Sequence, residues 1–139
     1  DIIEQLFKIA NVIRWGGVVL IVFLAFATLF IISNTIRLTV FARRKEIGIM
    51  KYVGATNWFI RWPFLLEGLL LGFIGGLIAD IALFQFYEFV TVSIHESLAF
   101  LPLVSFFPFM YQLAGGLLVI SMIIGAIGST ISLKRYMKV

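Results

Sequence analysis

Three apolar runs, Trp15 to Ile36, Pro63 to Phe86 and Tyr111 to Leu133, are each long enough to cross a bilayer, which needs about 20 mostly apolar residues for a hydrocarbon core of roughly 30 Å. A chain of 139 residues built around three such runs has little left from which to make a water-soluble core. Composition agrees: 62% of residues are hydrophobic and 13% charged, with a mean hydropathy of +1.10, against roughly 45–50% and 25% in soluble domains. The expected fold is an all-α membrane protein with three transmembrane helices. All three runs are too long for the apolar core of a cleaved signal peptide, and no small-residue cleavage site follows the first.

Charge orients the spans. Arg37, Arg43, Arg44, Lys45, Lys51 and Arg61 lie between the first and second runs, and Lys134, Arg135 and Lys138 follow the third. Nine of the eleven basic residues thus share one side, which the positive-inside rule makes cytoplasmic. The expected order is an outer segment 1–14, a span 15–36, a cytoplasmic loop 37–61, a span 63–86, an outer loop 87–110, a span 111–133 and a cytoplasmic tail 134–139. The N-terminus of the chain would lie outside and the C-terminus inside. The net charge of +4 does not indicate nucleic acid, because the basic residues sit at the ends of apolar runs. With no cysteine, the chain has no disulfide, thiolate metal site or cysteine nucleophile. Its first residue is Asp1 rather than Met, so the expectation is a piece of a longer protein.

Outside the spans, Ile3, Leu6, Ala10 and Ile13 recur at helical spacing. The segment 1–14 reads either as an amphipathic helix on the outer surface or as a helical extension of the first span. The loop 87–110 stays apolar, and Pro102 and Pro108 preclude one continuous helix through it. A surface-lying segment or cover for another domain is expected there.

Within the spans, Gly68, Gly72 and Gly76 recur every four residues in the second, and Ser121, Gly125 and Ser129 do so in the third. Such stripes let two backbones approach closely, which is how helices associate in lipid. Two carboxylates interrupt the second span. Glu67 belongs near the cytoplasmic headgroups, within reach of a basic neighbour or a helix end. Asp80 lies about 20 Å further along the axis, in the outer half. That separation is too great for a direct proton relay. His95 has Ser93, Glu96 and Ser97 as sequence neighbours, but a hydrolase triad needs groups from separate elements and an oxyanion hole. A single histidine among scattered carboxylates provides no metal-ligand spacing. No GxxxxGK[ST] phosphate loop is present, so any nucleotide energy must come from a partner.

The loop 37–61 is the most informative stretch. Arg43-Arg44-Lys45-Glu46 begins a polar cluster, Ile47, Met50 and Val53 follow at approximately helical spacing, and Gly54-Ala55-Thr56 ends the pattern with a C-cap glycine. Thr56 or Asn57 can cap the next helix, which Trp58, Phe59 and Trp62 would anchor at the headgroups. Such a helix can lie in the anionic inner leaflet, or it can enter a groove of a cytoplasmic protein and carry motion into the flanking spans.

The run from Leu38 through Arg43-Arg44-Lys45-Glu46-Ile47-Gly48-Ile49-Met50-Lys51-Tyr52-Val53-Gly54-Ala55-Thr56 resembles the cytoplasmic motif of the FtsX-like permease domain family. That family also includes the macrolide exporter MacB and the lipoprotein-releasing permeases. Phe59-Ile60-Arg61-Trp62-Pro63-Phe64, continuing to Glu67-Gly68, is similar to its cell-division branch. The resemblance implies spans two to four of a four-span bacterial plasma-membrane subunit, with a large extracellular domain before Asp1. It implies a homodimer that binds an FtsE-like cytoplasmic ATPase, which itself holds ATP and Mg, so that this chain is neither an enzyme nor a cofactor binder. Mechanical coupling to an extracellular peptidoglycan hydrolase or its adaptor, without solute transport, is the implied function, and a MacB-like exporter or lipoprotein-releasing permease is the alternative. The implied ATPase contact comprises Arg43, Arg44, Lys45, Glu46, Ile47, Met50, Lys51, Val53, Gly54, Ala55 and Thr56. Of these, Ile47, Met50 and Val53 would be the apolar face.

Overall fold

A computed structural model describes residues 1–97 and 107–136, and every regular element among them is helical. Four helices follow one another: α1 (Ile2–Ala42), α2 (Arg44–Tyr52), α3 (Asn57–Ser97) and α4 (Phe107–Tyr136). Three of these are long and apolar enough to cross a membrane, within Ile2–Ala42, Asn57–Ser93 and Phe109–Arg135. The apolar runs set their number, since a backbone in lipid must satisfy its polar groups within its own helix.

The helices outrun the apolar segments. Both α1 and α3 have 41 residues, about 60 Å at 1.5 Å per residue, roughly twice the hydrocarbon thickness. Residues 2–14 continue the first span as helix through Trp15 without a break, because Gly16 and Gly17 have no proline or capping partner to stop them. In the same way α3 continues to Ser97, so the first part of the expected loop 87–110 is helical. The expectation of an apolar cover over 98–106 lies outside the described residues. Pro108 occupies the first turn of α4, where a missing amide hydrogen is tolerated. Pro63 sits inside α3 and removes one backbone hydrogen bond near its start.

Helices α3 and α4 pack along much of their length, whereas α1 meets α4 over its second half only. The buried apolar cluster joins Ile32 and Ile36 of α1, Phe64 of α3 and Leu133 of α4, with Val40, Ile47 and Ile124 packed against it. It lies at the basic end of the bundle, beside Arg37, Arg61 and Lys134 in sequence. Toward the other end α1 is uncovered, with Ile2, Leu6, Trp15 and Phe23 among its exposed side chains. Thus α1 is fixed to the α3–α4 pair toward the end where the short helix α2 follows it.

Candidate functional site

Helix α2 is an elbow between two membrane-length helices. Arg43, with φ −98° and ψ 13°, ends α1 and begins α2, so a single non-helical residue makes the turn. Its Nε donates to Glu46 Oε2 at 3.0 Å, and the Arg44 guanidinium stands 4.5 Å above the Phe41 ring. Both groups are exposed at the junction, where such contacts set geometry more than stability.

The end of the elbow is defined by backbone chemistry. Gly54 adopts φ +88°, its amide donates to Lys51 O at 3.1 Å, and the Ala55 amide donates to Met50 O at 2.9 Å. That pair of bonds is a Schellman motif, which needs a left-handed residue and therefore favours glycine. Thr56 then caps α3: its Oγ1 accepts the Phe59 amide at 3.3 Å, and its carbonyl accepts the Ile60 amide at 3.2 Å. Asn57 falls within α3 instead.

The structure does not place Ile47, Met50 and Val53 on one free face. Ile47 and Met50 are half-buried and, with Ile60, Pro63 and Phe64, line a small cavity of about 30 Å³ under the elbow. Val53 is 83% exposed, on the far side. The reason is the helical pitch: each three-residue step falls about 60° short of a full turn, so two steps carry Val53 well away from Ile47. The outward apolar face is Ile49, Tyr52 and Val53, with Tyr52 93% exposed. Arg44, Lys45 and Lys51 are exposed around it. Sequence spacing missed Ile49 and Tyr52; a strict 100° projection of residues 44–53 separates the two faces.

Behind the elbow, the small-residue stripes meet. A Cβ added to Gly68 would lie 2.6 Å from both Gly125 O and Ser129 Cβ, and one added to Gly72 would press on the Ser121 backbone. Gly76 is equally close to the Ser121 hydroxyl, whereas Gly75 meets nothing within 4 Å. Gly128 performs the same service for α1, since its added Cβ would stand 3.0 Å from Ile32 Cγ2. Hydroxyls add bonds across the seams. Ser129 Oγ, fully buried, donates to Phe64 O at 2.7 Å, and Ser132 Oγ donates to Ser33 O at 3.0 Å.

Of the two intramembrane carboxylates, Glu67 accepts the Thr39 hydroxyl on Oε1 at 3.1 Å, which ties α3 to α1. Asp80 is only 7% exposed, and its Oδ1 has no hydrogen-bond partner. No group of three potential metal-binding side chains occurs among the described residues. The side chains of His95 and Glu96 lie outside those described.

Long apolar helices joined by a short, capped, two-faced elbow at their basic end define a polytopic membrane protein with a short helix linking two of its spans. The chain belongs to the FtsX-like permease C-terminal family, whose profile matches residues 18–138. It is 45% identical over 139 residues to the cell division protein FtsX of Bacillus subtilis (strain 168), covering 99% of this chain and 47% of the relative. The same-named proteins of Bacillus anthracis (47% identity, 99% and 47% coverage) and Streptococcus pneumoniae serotype 2 strain D39 (43%, 98% and 45%) are similar to it. The chain spans about half the length of the curated relatives it matches.

Proposed function

We propose that this chain is the membrane-coupling portion of a bacterial cell-division ABC-type complex. The basic end faces the cytoplasm, and α2 docks an FtsE-like ATPase that supplies the nucleotide chemistry. The supporting observation is the division of α2 into two faces. Ile47 and Met50 attach it to the bundle, while Ile49, Tyr52 and Val53 form an exposed apolar strip that includes the Lys45 side chain and is flanked by Arg44 on one side and Glu46 on the other. A helix gripped on one side and free on the other transmits displacement rather than absorbing it. The names of the relatives favour cell division over export.

In this reading the contact region keeps Arg43, Arg44, Lys45, Glu46, Lys51, Gly54, Ala55 and Thr56. Apolar contact at its centre gives affinity, and the charges steer encounter and respond to salt. Nucleotide-driven movement of two ATPase protomers, one under each copy of a homodimer, shifts the elbows. Each elbow continues directly into α1 through Arg43, so the shift reaches the extracellular side as a rigid-body movement that acts on a peptidoglycan hydrolase or its adaptor. No solute passage is required: Glu67 is engaged with Thr39 and Asp80 is enclosed.

The test is co-purification of the full-length protein with its ATPase. The paired substitution Ile49→Asp and Val53→Asp is expected to weaken the complex at least tenfold, as loss of an apolar hot spot does, with membrane insertion retained. Undiminished binding by an inserted double variant would reject the outward face as the docking site.

A further inference from the structure

At the basic end, on the side of the bundle formed by α3 and α4, a cleft of about 670 Å³ is lined by Arg61, Ile131, Lys134 and Arg135. It is separate from the elbow, whose cavity is lined by other residues. Two helices whose contributions lie about seventy residues apart in sequence bring three cations to one concavity, and no carboxylate is among the residues lining it. Positive flanks are ordinary at membrane boundaries. Convergence alone would not distinguish this one.

Two features do. Arg61 Nε is buried and has no hydrogen-bond partner, although a guanidinium N–H withdrawn from water without an acceptor is costly. The half-buried Arg61 thus brings to the cleft wall a guanidinium whose hydrogen-bonding capacity is incompletely used. Ile131, one turn deeper along α4 than Arg135, is exposed and gives the cleft an apolar wall on its membrane side. Cations above an apolar wall, on helices long enough to span a bilayer, match the order of phosphate and acyl chain in a phospholipid. Free phosphate would use the cations but gain nothing from the wall.

We propose that this cleft binds the phosphoryl headgroup of an anionic phospholipid, with the Arg61 guanidinium and the Lys134 ammonium as its donors and Ile131 against the upper acyl chain. Arg135 contributes positive charge to the rim. Retention of such a lipid would staple the start of α3 to the end of α4 at the level where α2 joins the bundle. The inference stands apart from ATPase docking, because the two surfaces share no residue.

The experiment compares full-length wild type with Arg61→Gln/Lys134→Gln in phosphatidylcholine vesicles with and without phosphatidylglycerol. Lipid contact is read from quenching by a headgroup-labelled phosphatidylglycerol, and retained lipid by native mass spectrometry. Wild type is expected to prefer phosphatidylglycerol over phosphatidylcholine, and the double variant to lose on the order of tenfold of that preference, as removal of basic residues at a membrane surface implies. Arg61→Lys, which keeps charge and folding but not the guanidinium, should retain part of it, and Lys8→Gln should retain all. A wild type that shows no preference would overturn the proposal without recourse to any variant. So would a correctly inserted double variant that keeps the full preference. Inorganic phosphate that displaces the labelled lipid at equal concentration would reassign the cleft to a soluble anion.

Discussion

At the residue scale, the seam between α3 and α4 depends on the absence of side chains. Lipid offers no hydrophobic drive for helix association, so packing and interhelical bonds must hold the pair. Gly72 is one of the tight points of this seam, since an added Cβ would meet the Ser121 carbonyl and approach its carbon at 2.9 Å. Gly72→Leu should lower stability in detergent by about 1–3 kcal/mol, the cost of overpacking, whereas Gly75→Leu, with open space around it, should be neutral. Equal effects in thermal unfolding would place the seam elsewhere. Asp80→Asn preserves shape and replaces the enclosed carboxyl group with an amide. It should leave hydrolase activation normal, and a severe loss would give the carboxylate an ion-handling role. The stripes of Gly68, Gly72 and Gly76 and of Ser121, Gly125 and Ser129 were legible because four-residue periodicity is local. The hydroxyl bonds from Ser129 to Phe64, Ser132 to Ser33 and Thr39 to Glu67 were not, because each joins residues that only the tertiary fold brings together.

At the scale of elements, the elbow shows what pattern can and cannot supply. Its end was readable at Gly54, where a left-handed residue is needed, and its successor's start at Thr56, where a hydroxyl caps the next helix. Which face points inward was not readable from a nine-residue helix that carries apolar residues on both sides, Ile47 and Met50 on one and Ile49 and Tyr52 on the other. The bundle decides that by offering Ile60, Pro63 and Phe64 to one side only. The extension of α1 through residues 2–14 was one of the two readings its periodicity allowed, whereas that of α3 to Ser97 escaped the apolar pattern: a helix continues past the membrane boundary until something stops it, and polarity alone does not. Gly54→Ala should cost about 1–2 kcal/mol of local stability through its forced left-handed conformation. Hydrogen exchange should then quicken in α2 amides and remain unchanged in the buried α3–α4 seam. Unchanged exchange in α2 would mean that the Schellman turn does not hold the elbow.

At the scale of the whole molecule, the three apolar runs fixed helix number, and the shared placement of nine basic residues gave the end at which they converge. The buried cluster of Ile32, Ile36, Phe64 and Leu133 gathers at that same end, leaving the opposite half of α1 exposed. In the proposed function that arrangement would make the basic end a fulcrum, with a displacement of α2 passed to the helices where they are joined and delivered where α1 is uncovered. In that proposal α2 presents Ile49, Tyr52 and Val53 to an ATPase while Ile47 remains against its own bundle. These 139 residues hold no cysteine, so Tyr52→Cys and Ile47→Cys, introduced singly into a full-length protein whose other cysteines are replaced by serine, can each be cross-linked to the ATPase from one defined position. A strong adduct at Tyr52→Cys with little or none at Ile47→Cys is the predicted result; an adduct confined to Ile47→Cys would contradict the account.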